Sequence, residues 1–487
     1  MSERETSNNM DMYSREKTIV VSCLKLIQEF SWLLNAFVLD FYTEDHWKRL
    51  PSSWRAALKG CSLEEFGEWM LMNQCPNQRV WPLSLLALRA STKALSLSRD
   101  QISLNIRDED ESDPPSLNNN SSTTIPGMET KCLTNKNLKQ LFVKHVKPKK
   151  RHETIIMAKL CADAAIKSKV SYIVDVGGGK GHLSRLLAYG FGLRVCCVDS
   201  QGSLISSARE IDKQLEYTAA KHLGNSYMQQ LSGPEYLTLT VGCSDDSLHL
   251  FKKEVLHKLH LDKESEVSFG IVGLHPCGDL AATLLRLFTS LNEAKFICIA
   301  SCCYMKLSLT SCPVQGYPLS SFLQMLPNDL TNLTYEALEL SCHALESYCQ
   351  RLQSQEYKFL KIHSFRAALE KLIVKHYPTM KHCGLRSVKH FDQMDFPLYA
   401  EKALSRINLS IPLCDLTSSD ISEQLENWQD VVAMYSLRLL LAPLVETVVL
   451  LDRLIYIQEC GGLGSIIPGF DPVLSPRNLI LQGLKTV

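Results

Sequence analysis

The residues best equipped for chemistry are an acid and three alternating glycines. In Tyr172-Ile-Val-Asp-Val-Gly-Gly-Gly-Lys-Gly181, apolar residues bracket Asp175, and Gly177, Gly179 and Gly181 precede an apolar-periodic run from Leu183 to Ala188. This spacing predicts a strand, a tight turn and a helix. Glycine permits φ > 0 and lets a ligand approach the turn without meeting a Cβ, and the following helix start offers free N–H groups. The pattern is G-x-G-x-G rather than the G-x-G-x-x-G of dinucleotide sites. It suits S-adenosylmethionine, which has no pyrophosphate and calls for a carboxylate at the strand end, here Asp175. A second strand, Arg194-Val-Cys-Cys-Val-Asp199, ends in an acid 18 residues after Gly181, where a doubly wound fold places the group that holds a ribose diol. Asp199 is the expected residue, with a helix N-cap as its alternative role. Asp245, after a third strand, is expected near the adenine.

A second set lies farther along, in Leu274-His-Pro-Cys-Gly-Asp279 and Ser301-Cys-Cys-Tyr-Met-Lys306. Methyl transfer from a sulfonium needs an acceptor held in line and, for some acceptors, a base to remove its proton. His275 is titratable and stands at the expected sheet edge, so it is the catalytic candidate. Its alternative is to fix its own loop. Asp279 reads as a helix N-cap. Cys277, Cys302, Cys303, Tyr304 and Lys306 are expected to line the acceptor site. His275, these cysteines and Cys312 could converge on a metal, but only Cys298 with Cys302 or Cys303 has a usual zinc spacing. Substrate-lining or structural thiols are therefore expected, and no metal. Enzymes that methylate an exocyclic adenine nitrogen carry Asn/Asp-Pro-Pro-aromatic where this chain has His-Pro-Cys-Gly.

These residues must be positioned by a parallel sheet. Tyr236–Val241, Phe269–Leu274 and Lys295–Ala300 read as strands three to five, and Asn478–Leu481 as a closing strand. Residues 1–98 have helical periodicity and are expected to form an N-terminal domain. Residues 99–130, rich in Asp, Asn, Ser and Pro, read as a disordered linker. Residues 131–487 are then the catalytic domain, with a helical insertion at about 304–470. The expected fold is α/β, a doubly wound, mostly parallel Rossmann-like sheet with helices inserted before the last strand.

Lys144, Lys147, Lys149, Lys150 and Arg151 form a basic segment just before the first strand, either a nucleic-acid contact or a solvated helix start. It is local, because Lys+Arg and Asp+Glu both number 52 in the 487 residues, which excludes a global field that steers polyanions. The 18 cysteines include no C-x-x-C pair, and the polar start is no secretory signal. The expected location is intracellular, cytoplasmic or nuclear. Residues 431–451 would register as a membrane span by hydropathy, but Arg438 and Glu446 fall inside, so a buried helix is expected instead.

The glycine turn, Leu274-His-Pro-Cys-Gly-Asp-Leu280, Cys302-Cys-Tyr-Met-Lys-Leu307, Leu440-Leu-Ala-Pro-Leu-Val-Glu446 and Ser475-Pro-Arg-Asn478 together resemble the methyltransferase-like 25 family. Leu50-Pro-Ser-Ser-Trp54, Val80-Trp-Pro-Leu83 and His145-Val-Lys-Pro-Lys-Lys150 extend the likeness toward the N-terminus. The resemblance implies a class I methyltransferase using S-adenosylmethionine. His-Pro-Cys-Gly followed by Cys-Cys is also similar to a transfer-RNA 2′-O-methyltransferase family, which implies an RNA acceptor. The zero formal charge and large helical surface leave a protein side chain, or a non-enzymatic cofactor-binding role, as alternatives.

Overall fold

A computed structural model of the protein describes residues 2–71, 79–102, 130, 132, 135, 138, 142, 146–229, 231–261, 267–309, 315–355 and 357–485, with side chains from residue 15. Seven short runs pair into one sheet: β1 (Tyr172–Val176), β2 (Arg194–Asp199), β3 (Glu235–Thr238), β4 (Phe269–Leu274), β5 (Ala294–Ala300), β6 (Gly462–Pro468) and β7 (Leu479–Lys485). Their order is β3-β2-β1-β4-β5-β7-β6. The first five run parallel, and β7 lies antiparallel between β5 and β6. Burial on both faces explains why β1, β2, β4 and β5 are near-continuously apolar rather than alternating. On one face Ile156, Met157 and Cys161 of the Pro148–Lys167 helix pack with Leu187, Val195, Phe296 and Ile480. Elsewhere Ile205 and Ala208 of the Gly202–Leu223 helix cover Cys197 and Tyr236.

This is the expected doubly wound α/β fold. The chain leaves β1 to one side for β2 and pairs on the other with β4, so a crevice opens beyond the carboxyl ends of β1 and β4. Such a switch point is where open α/β sheets bind ligands. β6 is an addition to the expected strands: Gly461, Gly462 and Gly464 disguise it, because glycine weakens strand propensity.

Two compact units divide the chain. One comprises Met1–Val20, Ser98–Asn332 and Val449–Val487, and contains the sheet; the other comprises Val21–Leu97 and Leu333–Val448. Of the stretch expected to form a domain over 1–98, Met1–Val20 therefore falls with the sheet, whereas Val21–Leu97 shares a unit with much of the insertion. Its polar groups find partners there: Tyr42 donates to the Gln424 carbonyl at 2.6 Å, and Nε2 of His382 lies 2.9 Å from Asp40. Within that unit Leu369, Ile373, Phe396 and Tyr399 form an apolar core. Most of the expected linker, residues 103–129, lies outside the described residues. Its beginning is not loose: Arg99 donates to the Pro476 carbonyl at 3.0 Å, and the Ile102 amide to that of Pro468 at 3.0 Å.

Residues 431–451 belong to two helices, Trp428–Leu439 and Ala442–Glu459. Among the described residues no helix is long and apolar enough to cross a membrane. Arg438 is buried and donates from Nε and Nη2 to the Leu34 carbonyl at 3.2 and 2.9 Å, a partner that hydropathy cannot register.

Candidate active site

The glycine turn is built on β2. The amides of Gly177 and Gly178 donate to the Val198 carbonyl at 2.8 and 3.3 Å, and that of Gly181 to the Gly178 carbonyl at 2.9 Å. The Gly179 amide donates to Oδ2 of Asp199 at 2.9 Å. Gly177, Gly179 and Gly181 have φ of 75°, 58° and 67°, which only glycine adopts without strain. Gly178, not singled out by spacing, excludes bulk for a different reason: a Cβ there would lie 2.5 Å from Sγ of Cys197. These four amides are engaged within the fold. A ligand meets a close backbone and the side chains around it.

Those side chains line a pocket of about 190 Å³ at the switch point. Asp175, Gly177, Gly178, Gly179, His182 and Leu183 supply the β1 side, Leu274 and His275 the β4 side, and Lys150 and Thr154 the wall from the Pro148–Lys167 helix. Asp175 is buried and accepts from the Ser184 hydroxyl at 2.5 Å. Burial pushes its pKa up to about 6, against hydrogen bonding by Ser184 and the charge of Lys150. Burial, with Lys150, Arg185 and Lys180 nearby, brings His182 down to about 4, so its ring is neutral at pH 7. Oγ1 of Thr154 is buried without a hydrogen-bond partner, an arrangement that normally costs free energy.

Asp199 stands at the end of β2 as expected, and its second oxygen accepts from the Gln201 amide at 2.9 Å. Both oxygens thus brace backbone at the turn, and lone pairs remain for a further donor. Asp245 is exposed in the first turn of the Asp245–Lys258 helix, beside the N-cap Ser244, and does not line the pocket. Gly181 makes room for Tyr236, whose hydroxyl would be 2.6 Å from a Cβ there. Tyr236 and Arg185 both bond to the buried Asp212, which locks the helix after the turn to β3.

His275 has φ of 67° and donates its amide to the Ala300 carbonyl at 2.9 Å. Its Nε2 lies 2.8 Å from Oε2 of Glu153. Glu153 is buried, and its other oxygen accepts from the Ser475 hydroxyl at 2.6 Å. Burial pushes the Glu153 carboxyl up, but hydrogen bonds from His275 and Ser475, with the charges of His275 and Lys149, outweigh it and hold it below the usual range. In the neutral ring, a proton held on Nε2 by an ionised Glu153 leaves Nδ1 as the acceptor, the arrangement that readies an imidazole to take a proton.

Beside His275, the sulfurs of Cys277, Cys302 and Cys303 come together. Cys277 is 3.1 Å from Cys302 and 3.5 Å from Cys303, and the latter two are 3.4 Å apart. Hydrogen bonding by Cys302 leads in bringing the Cys277 thiol down to about 5, against burial, with Cys303, Lys306 and His275 assisting. Cys298 is elsewhere, buried in β5 and bonded by Gln482 at 3.3 Å. Cys312 lies outside the described residues. Tyr304 corrects an expectation: it is 1% exposed, its ring flanked by the guanidinium groups of Arg453 and Arg477 at 5.7 and 5.5 Å, so its faces cannot stack on an acceptor. Lys306 is exposed on the same turn.

The basic segment is partly diverted to this site. Lys150 lines the pocket, Nζ of Lys149 is 3.8 Å from Glu153, and Lys147 precedes the helix as its N-cap. Arg151 lies on its first turn; Lys144 is outside the described residues. Sequence reading missed Thr154, His182, Glu153 and Ser475, although Ser475 stood in a motif already noted.

Residues 149–310 match a family model described as a methyltransferase domain. The chain is 30% identical over 237 residues to a protein of Mus musculus named "Probable methyltransferase-like protein 25", covering 44% of this chain and 37% of that one. To the protein of the same name from Homo sapiens it is 30% identical over 232 residues, covering 44% and 36%. The matched part thus spans little more than a third of the length of these curated relatives. No solved structure matches the chain.

Proposed function

We propose that the chain, which carries a methyltransferase domain and resembles the methyltransferase-like 25 proteins, is an S-adenosylmethionine-dependent methyltransferase acting on a macromolecule, with RNA the favoured acceptor. The observation that carries this reading is the pocket at the β1/β4 switch point, with an acid and a Cβ-free turn on one wall and a carboxylate-held histidine on the other.

The residues present suit the cofactor. The unpartnered hydroxyl of Thr154 awaits a polar ligand atom, Lys150 offers a cation for a carboxylate, and Asp175 offers a carboxylate for an ammonium. Asp199 keeps lone pairs for ribose hydroxyls while bracing the Gly179 amide. Asp245, outside the pocket lining, is retained only for a ligand that reaches past it toward β3. When bound, S-adenosylmethionine supplies a methyl group on a sulfonium leaving group, which is the reactive part of the chemistry.

The chain's own work is positioning and proton transfer. Nδ1 of His275 takes the acceptor's proton, and Glu153 holds the ring and steadies the imidazolium that results. Cys277, Cys302, Cys303 and Lys306 form the rim that an acceptor meets. The positive charges of Lys147, Lys149 and Arg151 at the start of the Pro148–Lys167 helix suit a phosphate backbone.

The test is transfer of labelled methyl to extract from cells lacking the protein, with Asp175→Ala as control and nuclease and protease arms in parallel. Label lost only to nuclease supports the RNA reading. Label lost only to protease makes the acceptor a protein side chain. No label above the control, with cofactor bound, leaves a cofactor-binding interaction protein.

A further inference from the structure

We infer that Cys277, Cys302 and Cys303 form a binding site for a single zinc ion, with three thiolate ligands and a fourth position open to solvent. Spacing in the chain argued against this, since two of the cysteines are adjacent and the third is distant. The fold supplies what spacing lacks. β4 and β5 are parallel neighbours paired as far as Leu274 and Ala300, so Cys277, three residues past one end, and Cys302, two past the other, reach the same edge.

The two loops are fastened before any ion arrives. Oδ1 of Asp279 accepts from the Ser308 amide at 2.9 Å. Gly278, with φ of 56°, lies so close to the opposite loop that a Cβ would be 2.8 Å from the Lys306 carbonyl. The thiols are therefore held together by backbone rather than by mutual attraction. A zinc–sulfur bond of about 2.3 Å in a tetrahedron sets its sulfurs about 3.8 Å apart. The observed separations of 3.1 to 3.5 Å need only small outward movement to reach it. Among the described residues no other three His, Cys, Asp or Glu side chains converge in this way.

A disulfide accounts for the trio less well. Adjacent Cα atoms are about 3.8 Å apart, below the usual disulfide range of about 4.4 to 6.8 Å, so Cys302 and Cys303 are poorly suited to pair. Pairing Cys277 with either leaves the third thiol unused. Three thiolates satisfy a soft divalent ion together. The exposure of Cys277 leaves the remaining position to a water or an acceptor atom, as in zinc sites that keep three protein ligands.

The experiment uses the full chain, purified without a polyhistidine tag or chelator. Elemental analysis is expected to find about one zinc per chain, and Co²⁺ replacing it should show tetrahedral thiolate absorption. Cys277→Ser, Cys302→Ser and Cys303→Ser should each weaken Zn²⁺ binding by at least about tenfold, while Cys460→Ser, at an exposed thiol in the turn before β6, should not. Should those serine variants fail to fold, alkylation of the native protein with and without Zn²⁺ gives the answer: protection of these three thiols supports the site. Metal-free protein whose thiols stay reactive in Zn²⁺, or a Cys277 disulfide that yields no Co²⁺ spectrum after reduction, overturns it. Asp175→Asn should lose cofactor affinity and keep the metal, so failure of one reading does not entail failure of the other.

Discussion

Nε2 of His275 and the buried carboxylate of Glu153 lie 2.8 Å apart although 122 positions separate them in the chain. The contact joins the loop after β4, whose His275 lines the pocket, to the first turns of the helix that precedes β1. Replacing His275 by Ala should lower methyl transfer by about 100- to 10,000-fold, the usual share of a general base. Glu153→Gln should cost about 10- to 100-fold by freeing the ring's tautomer and orientation. Cofactor affinity measured calorimetrically should move little in Glu153→Gln; full activity in His275→Ala would remove His275 from the mechanism, and full activity in Glu153→Gln would remove Glu153 as the residue that positions it.

Asp175 links pH to stability with a definite sign. Its carboxyl is raised from 3.8 to about 6 in the folded protein, mainly by burial. The folded state thus holds the proton more tightly than the unfolded one. The stability this contributes is complete below about pH 4 and lost as pH rises through 6, an effect on the order of 2 to 3 kcal/mol. Denaturant titrations of the cofactor-free protein against Asp175→Asn, between pH 4 and 7, should show this difference in slope. A ligand ammonium seated at Asp175 needs the ionised form, so affinity should fall by up to about tenfold per pH unit below 6.

Gly178→Ala isolates space from backbone strain. Its φ is not positive, so its penalty is the Cβ set 2.5 Å from Sγ of Cys197 and 3.0 Å from Oδ2 of Asp175. A loss of about 1 to 3 kcal/mol is expected. Adding Cys197→Ala should recover part of it, and chemical denaturation of the four members of the cycle measures the coupling.

The Arg185–Asp212 pair is buried on both sides. Asp212→Asn or Arg185→Met alone should destabilise by about 3 to 5 kcal/mol, because each leaves a charge without its partner. The double variant Arg185→Met/Asp212→Leu should be less damaged than the sum of its parts, as read from urea midpoints. Strict additivity would mean that the pair acts independently.

Local pattern made the sheet side of this site legible. β1, β2, β4 and β5 are short apolar runs, and the alternating glycines announce the turn, so Asp175, Asp199 and His275 stand at the strand ends where periodicity sets them. What stayed hidden depends on distant partners. Glu153 sits in a basic run that reads as a solvated helix start, and its burial makes sense only against His275 and Ser475. Thr154 and His182 are single polar residues with no spacing to mark them. Tyr304 misled in the opposite direction, since an aromatic after a strand suggests a stacking platform until Arg453 and Arg477 are seen on its ring.

The place of β7 has a consequence for how the protein is made. Of the seven strands it comes last in sequence order, yet it sits between β5 and β6. At about 5 to 20 residues per second, the roughly 180 residues between Ala300 and Leu479 delay it by about 10 to 40 s. Throughout that interval the apolar β5 presents an open edge to its surroundings, the kind of template that recruits foreign strands. A nascent chain that stops shortly before Leu479 carries six of the seven strands with the β5 edge still open, an aggregation-prone sheet rather than a closed one.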